Sequence, residues 1–395
     1  MVSLKQMKGT GVRSREILRE LIAFPTISAN SNRALIDYCA AHLENCGAAV
    51  EIIADDEQGK ANLYATLGPA DRPGVLLSGH TDVVPVEGQD WTKPPFELTE
   101  DEGKLFGRGT CDMKGFVASV LACASKIDPS TLKTPLHIAL SYDEEIGCVG
   151  VRSMLDMLKP APIKPLFCIV GEPTRLQVAT GHKGKLAARV TCRGVEGHSA
   201  LAPKALNAIY LATDMVQAIR SLQAEIEAEG ASDADYDVPY TTLHVGRIQG
   251  GTALNIVPNT CTFLFEIRNL ADEASEALFA QLRAAADAIV DRYQPSFPQA
   301  SIDMEVTNRY PALDTDPGAE VVKFVQALAN QNATMKVAFG TEGGLFSETL
   351  GIPTVVCGPG SMDQGHKPDE FLSIEQLQSC DAMLARLTTA LQDGL

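Results

Sequence analysis

Five short segments of the chain carry residue types that could perform hydrolytic chemistry. In LLSGHTDVVP an apolar run ends in His80-Thr81-Asp82. Residues i and i+2 of an extended chain share one face, so Asp82 could accept a hydrogen bond from one ring nitrogen of His80 and leave the other for a metal. GRGTCDMKG is a Gly-rich turn that delivers Asp112 just ahead of a predicted helix, where it either caps that helix or faces a site. The segment lacks the spacing and the Lys-Ser/Thr ending of a phosphate loop. IALSYDEEIGCVGV ends an apolar run with Asp143, Glu144 and Glu145. Adjacent carboxylates of this kind form either a solvated turn or a buried cluster that needs cations to offset its desolvation. FCIVGEPT places Glu172 at the carboxyl end of another apolar run, where open α/β sheets form their ligand crevices. The Gly/Pro-rich loop CGPGSMDQGHKPDEF holds His366.

Singly each segment has an ordinary structural explanation. Together they offer imidazole and carboxylate groups, a set suited to Zn²⁺, Co²⁺ or Mn²⁺. A carboxylate bridging two such ions makes a dinuclear hydrolytic centre.

The elements that must position these groups are short, β-branched apolar runs at residues 48–53, 61–68, 74–80, 136–143 and 167–172, which read as strands. Helical spacing over 14–23, 34–46, 115–127 and 150–158 alternates with them. That alternation predicts an α/β layered domain with a largely parallel core sheet. From 186 to about 306 the order changes to strand, helix, strand, strand, helix, strand, the ferredoxin-like arrangement. A second α+β domain is therefore expected inside the first, which occupies 1–185 and 307–395. After it come helix 319–330, strands 336–339 and 354–357, and a closing helix 374–392.

Composition narrows the function classes. The chain has 395 residues, 33 Lys plus Arg against 50 Asp plus Glu, and a formal charge of −17. Such a field repels phosphate backbones and anionic membrane surfaces, which argues against nucleic-acid and membrane partners. Ten scattered cysteines without a CxxC pair argue against a zinc finger or a disulfide framework and suit reduced, mostly buried thiols. The charged N-terminus MVSLKQMKGTGVRSREILREL has no signal-peptide apolar stretch, and no run is long enough to span a bilayer. A cytoplasmic protein is expected.

The motifs SGHTDVVP, GRGTCDMKG, DEEIG, GEPT and GHKPDE, in that order, resemble the di-zinc amidohydrolase and peptidase family, which includes deacylases of N-acyl amino acids and glutamate-releasing carboxypeptidases. The resemblance runs from about residue 15 to 391. It implies a mixed-sheet three-layer catalytic domain of α/β class with an inserted ferredoxin-like lid and dimerisation domain. It further implies two divalent ions, zinc first with cobalt or manganese as alternatives. His80 and Glu172 would hold one ion, Glu145 and His366 the other, and Asp112 both. Asp82 matches the residue that orients the first histidine, and Glu144 matches the general base.

In GVEGHSALAP, His198 matches a histidine that steadies the oxyanion and, in dimeric relatives, reaches the neighbouring subunit's site; it could instead be a helix-approach histidine without chemistry. Asn255 and Arg268 match residues that hold a substrate α-carboxylate, although Arg268 at a strand end also reads as a surface cation. GTEGGLFSETLG resembles the branch acting on N2-acetyl-L-ornithine, in arginine biosynthesis, more than the desuccinylase branch. Glu342 in that segment could receive a cationic side chain or serve as a surface acid. The alternatives are a succinyl-diaminopimelate desuccinylase, a broad N-acyl-amino-acid hydrolase, a dipeptidase, or a non-catalytic relative. The expected partners are a small N-acyl amino acid and a second copy of the chain.

Overall fold

A computed structural model describes residues 4–395, with side chains from residue 13 onward. The reading of the N-terminal Met-Val-Ser lies outside the described residues. Two compact units divide the chain: 1–181, 313–336 and 341–395 form the first, and 182–312 with 337–340 form the second.

The first unit is built on a nine-stranded mixed sheet. Its strands run in the spatial order Ala49–Asp55, Lys60–Leu67, Leu136–Ser141, Val75–His80, Phe167–Pro173, Thr354–Gly358, Val178–His182 and Leu313–Asp314, and Thr334–Val337 pairs with Val178–His182 off that path. Val75–His80 is parallel to both neighbours, and Thr354–Gly358 is parallel to Phe167–Pro173. Lys60–Leu67 is antiparallel to its neighbours on each side. The four central strands are thus parallel to one another, and the sheet is mixed. Those central strands are buried along their whole length, which explains their continuous apolar reading.

Alternation sorts the two faces of the sheet. Ala61, Leu63, Ala65 and Leu67 join a core shared with Ile17, Leu21, Leu35, Phe116, Val322 and Leu384, which belong to five helices. Asn62, on the other face, donates to Gly150 O and Ser153 Oγ at the helix Val151–Leu158. Helices therefore cover both faces. A separate three-stranded sheet joins Phe371–Ser373 to the hairpin Thr99–Asp101 and Lys104–Phe106.

Packing leaves no room at the centre. A Cβ on Gly171 would lie 2.1 Å from the ring of Phe116, which is 1% exposed. Gly171→Ala is therefore expected to destabilise the fold by at least about 1–3 kcal/mol through overpacking. Thermal unfolding measures this, and an unchanged Tm would contradict the packing described.

The second unit is a four-stranded antiparallel sheet in the order Thr242–Gly250, Thr260–Arg268, Lys185–Arg193, Ser301–Tyr310. Helices Ala208–Glu229 and Ser275–Asp291 cover one face, with Val190, Phe263, Met215 and Leu282 in the core. All ten cysteines are unpaired. Among the described residues no helix is long and apolar enough to cross a membrane.

Candidate metal centre

Three parallel strands of the first unit end at the same edge of the sheet and bring His80, the 143–145 turn and Glu172 together. Asp112 enters from the loop before the helix Lys114–Ala124. The N-cap of that helix is Met113, without a side-chain capping bond, so Asp112 does not serve as the cap. Its carboxylate lies between two imidazoles, with Oδ1 3.0 Å from His80 Nε2 and Oδ2 3.2 Å from His366 Nε2. Glu172 Oε1 is 3.6 Å from His80 Nε2, and Glu145 Oε2 is 2.9 Å from His366 Nε2. Two triads result, His80–Asp112–Glu172 and Asp112–Glu145–His366, each with ligand atoms within 4.8 Å of one another. Asp112 belongs to both.

Asp82 departs from the simple orienting picture. His80 Nδ1 is 3.0 Å from the Asp82 main-chain oxygen and 3.5 Å from its carboxylate. The strand stops at His80, so Asp82 lies past the regular i, i+2 geometry. Its carboxylate also accepts from Ser28 Oγ at 2.7 Å and from the amides of Glu144 and Glu145 at 3.1 and 3.3 Å. Asp82 thereby fixes the backbone of both glutamates. Asp143 turns away from the triads: its φ is +55°, and it pairs with Lys60 Nζ at 2.6 and 2.7 Å. Lys60 lies 83 residues away in sequence, and no local pattern announces that pairing.

Glu144 is in neither triad. Its Oε1 accepts a hydrogen bond from Cys148 Sγ at 3.2 Å, four residues along the same turn. Sequence reasoning assigned Cys148 no part, and only the i, i+4 spacing could have suggested it. Glu342 is 1% exposed, with Oε2 receiving Ser78 Oγ at 3.3 Å and Oε1 without a hydrogen-bond partner.

The electrostatics show an excess of acid. Burial, reinforced by neighbouring carboxylates, pushes Glu144 up to about 8 and Glu145 to about 7, and raises Glu172 well above the usual range. Burial acts the other way on His80, but Glu172, Asp112 and Asp82 raise it well above its ordinary value. Hydrogen bonds to Asp112 and Glu145 raise His366 to about 10. Asp112 is held low, against burial, by both histidines. Glu145 Oε1 is buried without a hydrogen-bond partner. A buried cluster of carboxylates and imidazole nitrogens, one carboxylate oxygen of it without a partner, is a donor set that divalent cations satisfy.

The remaining sequence candidates lie in the second unit. His198 is exposed, and its Nδ1 accepts from Ala200 N at 3.0 Å, capping a short 3-10 turn. Asn255 lies beside it, its main-chain oxygen accepting from Ser199 N at 3.0 Å. Arg268 is at the far end of the strand Thr260–Arg268. It donates to the Tyr310 hydroxyl at 2.7 Å and pairs with Glu266 at 3.2 Å. Arg268 is thus a tethered, half-buried cation and not a free surface one.

The sequence profile of Peptidase family M20/M25/M40 matches residues 76–390, and the chain belongs to that family. It is 37% identical over 377 residues to the acetylornithine deacetylase of Myxococcus xanthus, covering 94% of this chain and 96% of that one. Among solved structures, an M20 family metallo-carboxypeptidase from Sulfolobus solfataricus superposes with a TM-score of 0.77 at 18% identity, over 96% of this chain and 99% of that one. A dinuclear metal binding peptidase of the M20 family from Bacillus subtilis gives a TM-score of 0.69 at 17% identity, over 98% and 100% of the two chains.

Proposed function

We propose that the chain is a two-metal amide hydrolase that releases acetate from N2-acetyl-L-ornithine to give L-ornithine, a step feeding arginine biosynthesis. The observation that carries the chemistry is the pair of triads sharing Asp112, with Glu144 beside them and outside both. The substrate assignment is supported by the deacetylase named among the relatives.

In this reading His80 and Glu172 hold one divalent cation, Glu145 and His366 a second, and Asp112 both; zinc is the first choice, with cobalt and manganese accepted by the same donors. Bound cations supply Lewis acidity, which acidifies water and polarises an amide carbonyl. The chain's residues do the rest. Glu144 takes one proton of the attacking water as its oxygen bonds the carbonyl carbon and returns it to the nitrogen as the C–N bond breaks; the water's second proton leaves the new carboxyl group, giving acetate and the ammonium form of the amine. Cys148 donates to one carboxylate oxygen of Glu144 and orients it. Asp82, through the amides of Glu144 and Glu145, keeps the proton carrier and the adjacent ligand in fixed register.

A second copy of the chain is the expected partner. Support comes from the second unit, whose strand Thr242–Gly250 is an open sheet edge. Leu254 and Tyr210 are also exposed in that unit, at 101% and 66%. Sedimentation of the free protein reads the assembly.

The deciding measurement for the substrate is kcat/KM with zinc- or cobalt-loaded protein on N2-acetyl-L-ornithine, N-acetyl-L-methionine, N-succinyl-diaminopimelate and a dipeptide. Acetylornithine is expected to lead the series. A lead for the succinylated compound would overturn the substrate and leave the chemistry standing. Metal binding without turnover of any of them would overturn the enzyme reading.

A further inference from the structure

The motifs GRGTCDMKG and GHKPDE each contain a residue that the proposed chemistry does not use, Arg108 and Glu370. Both side chains are 1% exposed, and they pair at 2.7 Å between Arg108 Nη1 and Glu370 Oε2. The other oxygen of Glu370 accepts two backbone N–H groups, those of Cys111 at 2.9 Å and Asp112 at 3.1 Å. One carboxylate thus joins a buried cation to the peptide that carries the shared ligand.

Arg108 spreads the connection further. Its guanidinium donates to Lys367 O at 3.3 Å, next to His366, and to Pro85 O and Gln89 Oε1 at 3.3 and 2.5 Å, in the loop that follows Asp82. Gln89 Nε2 in turn donates to His366 O at 3.0 Å, and His366 has a left-handed φ of +60°. The sole tryptophan, Trp91, lies with its ring centroid 5.0 Å from the guanidinium carbon. The loops bearing Asp112 and His366, far apart in sequence, are therefore held by one buried ion pair.

We propose that Arg108 and Glu370 are positioning residues that set the placement of Asp112 against His366, and so the retention of a cation by the Asp112–Glu145–His366 triad. The inference rests on the two-metal reading above. A buried ion pair is a weak source of stability, since burial costs both charges their hydration. Here both ends of the pair hold ligand-bearing loops, and outer partners of this kind commonly change metal affinity or activity by about 10–100-fold.

Glu370→Gln is nearly isosteric but cannot serve both sides. A glutamine offers one acceptor oxygen, so its NH2 opposes either the guanidinium or the two backbone amides. The test is a metal titration, by competition with a chromophoric chelator, of the parent and Glu370→Gln, together with kcat and KM. The parent is expected to bind two ions. The variant should hold the weaker ion about 10–100-fold less tightly and lose kcat by a similar factor, with KM little changed.

The double variant Arg108→Met/Glu370→Leu removes both charges, an exchange that is often neutral or stabilising, yet leaves the Cys111 and Asp112 amides unbonded. It should stay folded, with Tm lowered by the unbonded amides, and show the same loss of metal. Two ions bound with parental affinity in a folded variant would overturn this inference alone. Fewer than two ions in the parent would overturn the two-metal reading and this inference with it.

Discussion

Glu144→Gln is expected to lower kcat by about 10²–10⁴-fold, the usual contribution of a positioned general base, while the bound metal stays at the parental amount. The separation follows from geometry: Glu144 lies beside both triads and supplies a ligand to neither. Glutamine retains an oxygen for the Cys148 thiol, which sits 3.2 Å from the carboxylate. The local packing therefore survives while the proton acceptor is lost. Turnover of acetylornithine and metal content, measured on the same preparation, check this. A variant with near-parental kcat removes Glu144 from the role given to it; one that loses its metal makes it a ligand instead.

Asp112→Ala should have the larger effect on metal. Its two carboxylate oxygens face different histidines, at 3.0 and 3.2 Å, so its removal depletes both triads at once. Glu172→Ala and Glu145→Ala each remove a donor from one triad only. Metal stoichiometry is therefore expected to fall below that of either single-triad variant. Activity should drop at least about 10³-fold, because the several kcal/mol of charge stabilisation supplied by a metal correspond to that many decades at 1.36 kcal/mol each. A variant that binds one ion as tightly as the parent would show that Asp112 is not shared. Chelator treatment of the parent should reproduce the loss, and added zinc or cobalt should reverse it.

Much of the candidate site was legible because strand ends and Gly-rich loops leave local marks. Apolar runs that stop at His80, Asp143 and Glu172 declare both the strand and its exit, and the structure brings His80, Asp112, Glu144, Glu145, Glu172 and His366 to one place. What escaped was set by long-range pairing. Nothing near Asp143 shows that Lys60 will turn it out of the cluster. The carboxylate of Asp82 lies 3.5 Å from the His80 ring, and nothing local announces that it also takes the amides of the 144–145 turn. The antiparallel outer strands of the main sheet read like the parallel ones, because apolar pattern carries burial and not direction. The strands Thr99–Asp101, Lys104–Phe106 and Phe371–Ser373 are three residues each, too short for a periodic signal.

That small sheet has a consequence for when the protein can become functional. Phe371 pairs with Phe106, and His366 and Glu370 lie just ahead of it, so on the two-metal reading the last proposed ligand and the buried acid behind Asp112 are made long after His80, Asp112, Glu145 and Glu172. A polypeptide still emerging from the ribosome carries His80, Asp112, Glu145 and Glu172 but lacks the closing histidine. On the two-metal reading, a chain shortened before His366 is expected to keep the His80–Asp112–Glu172 triad and lose the second one.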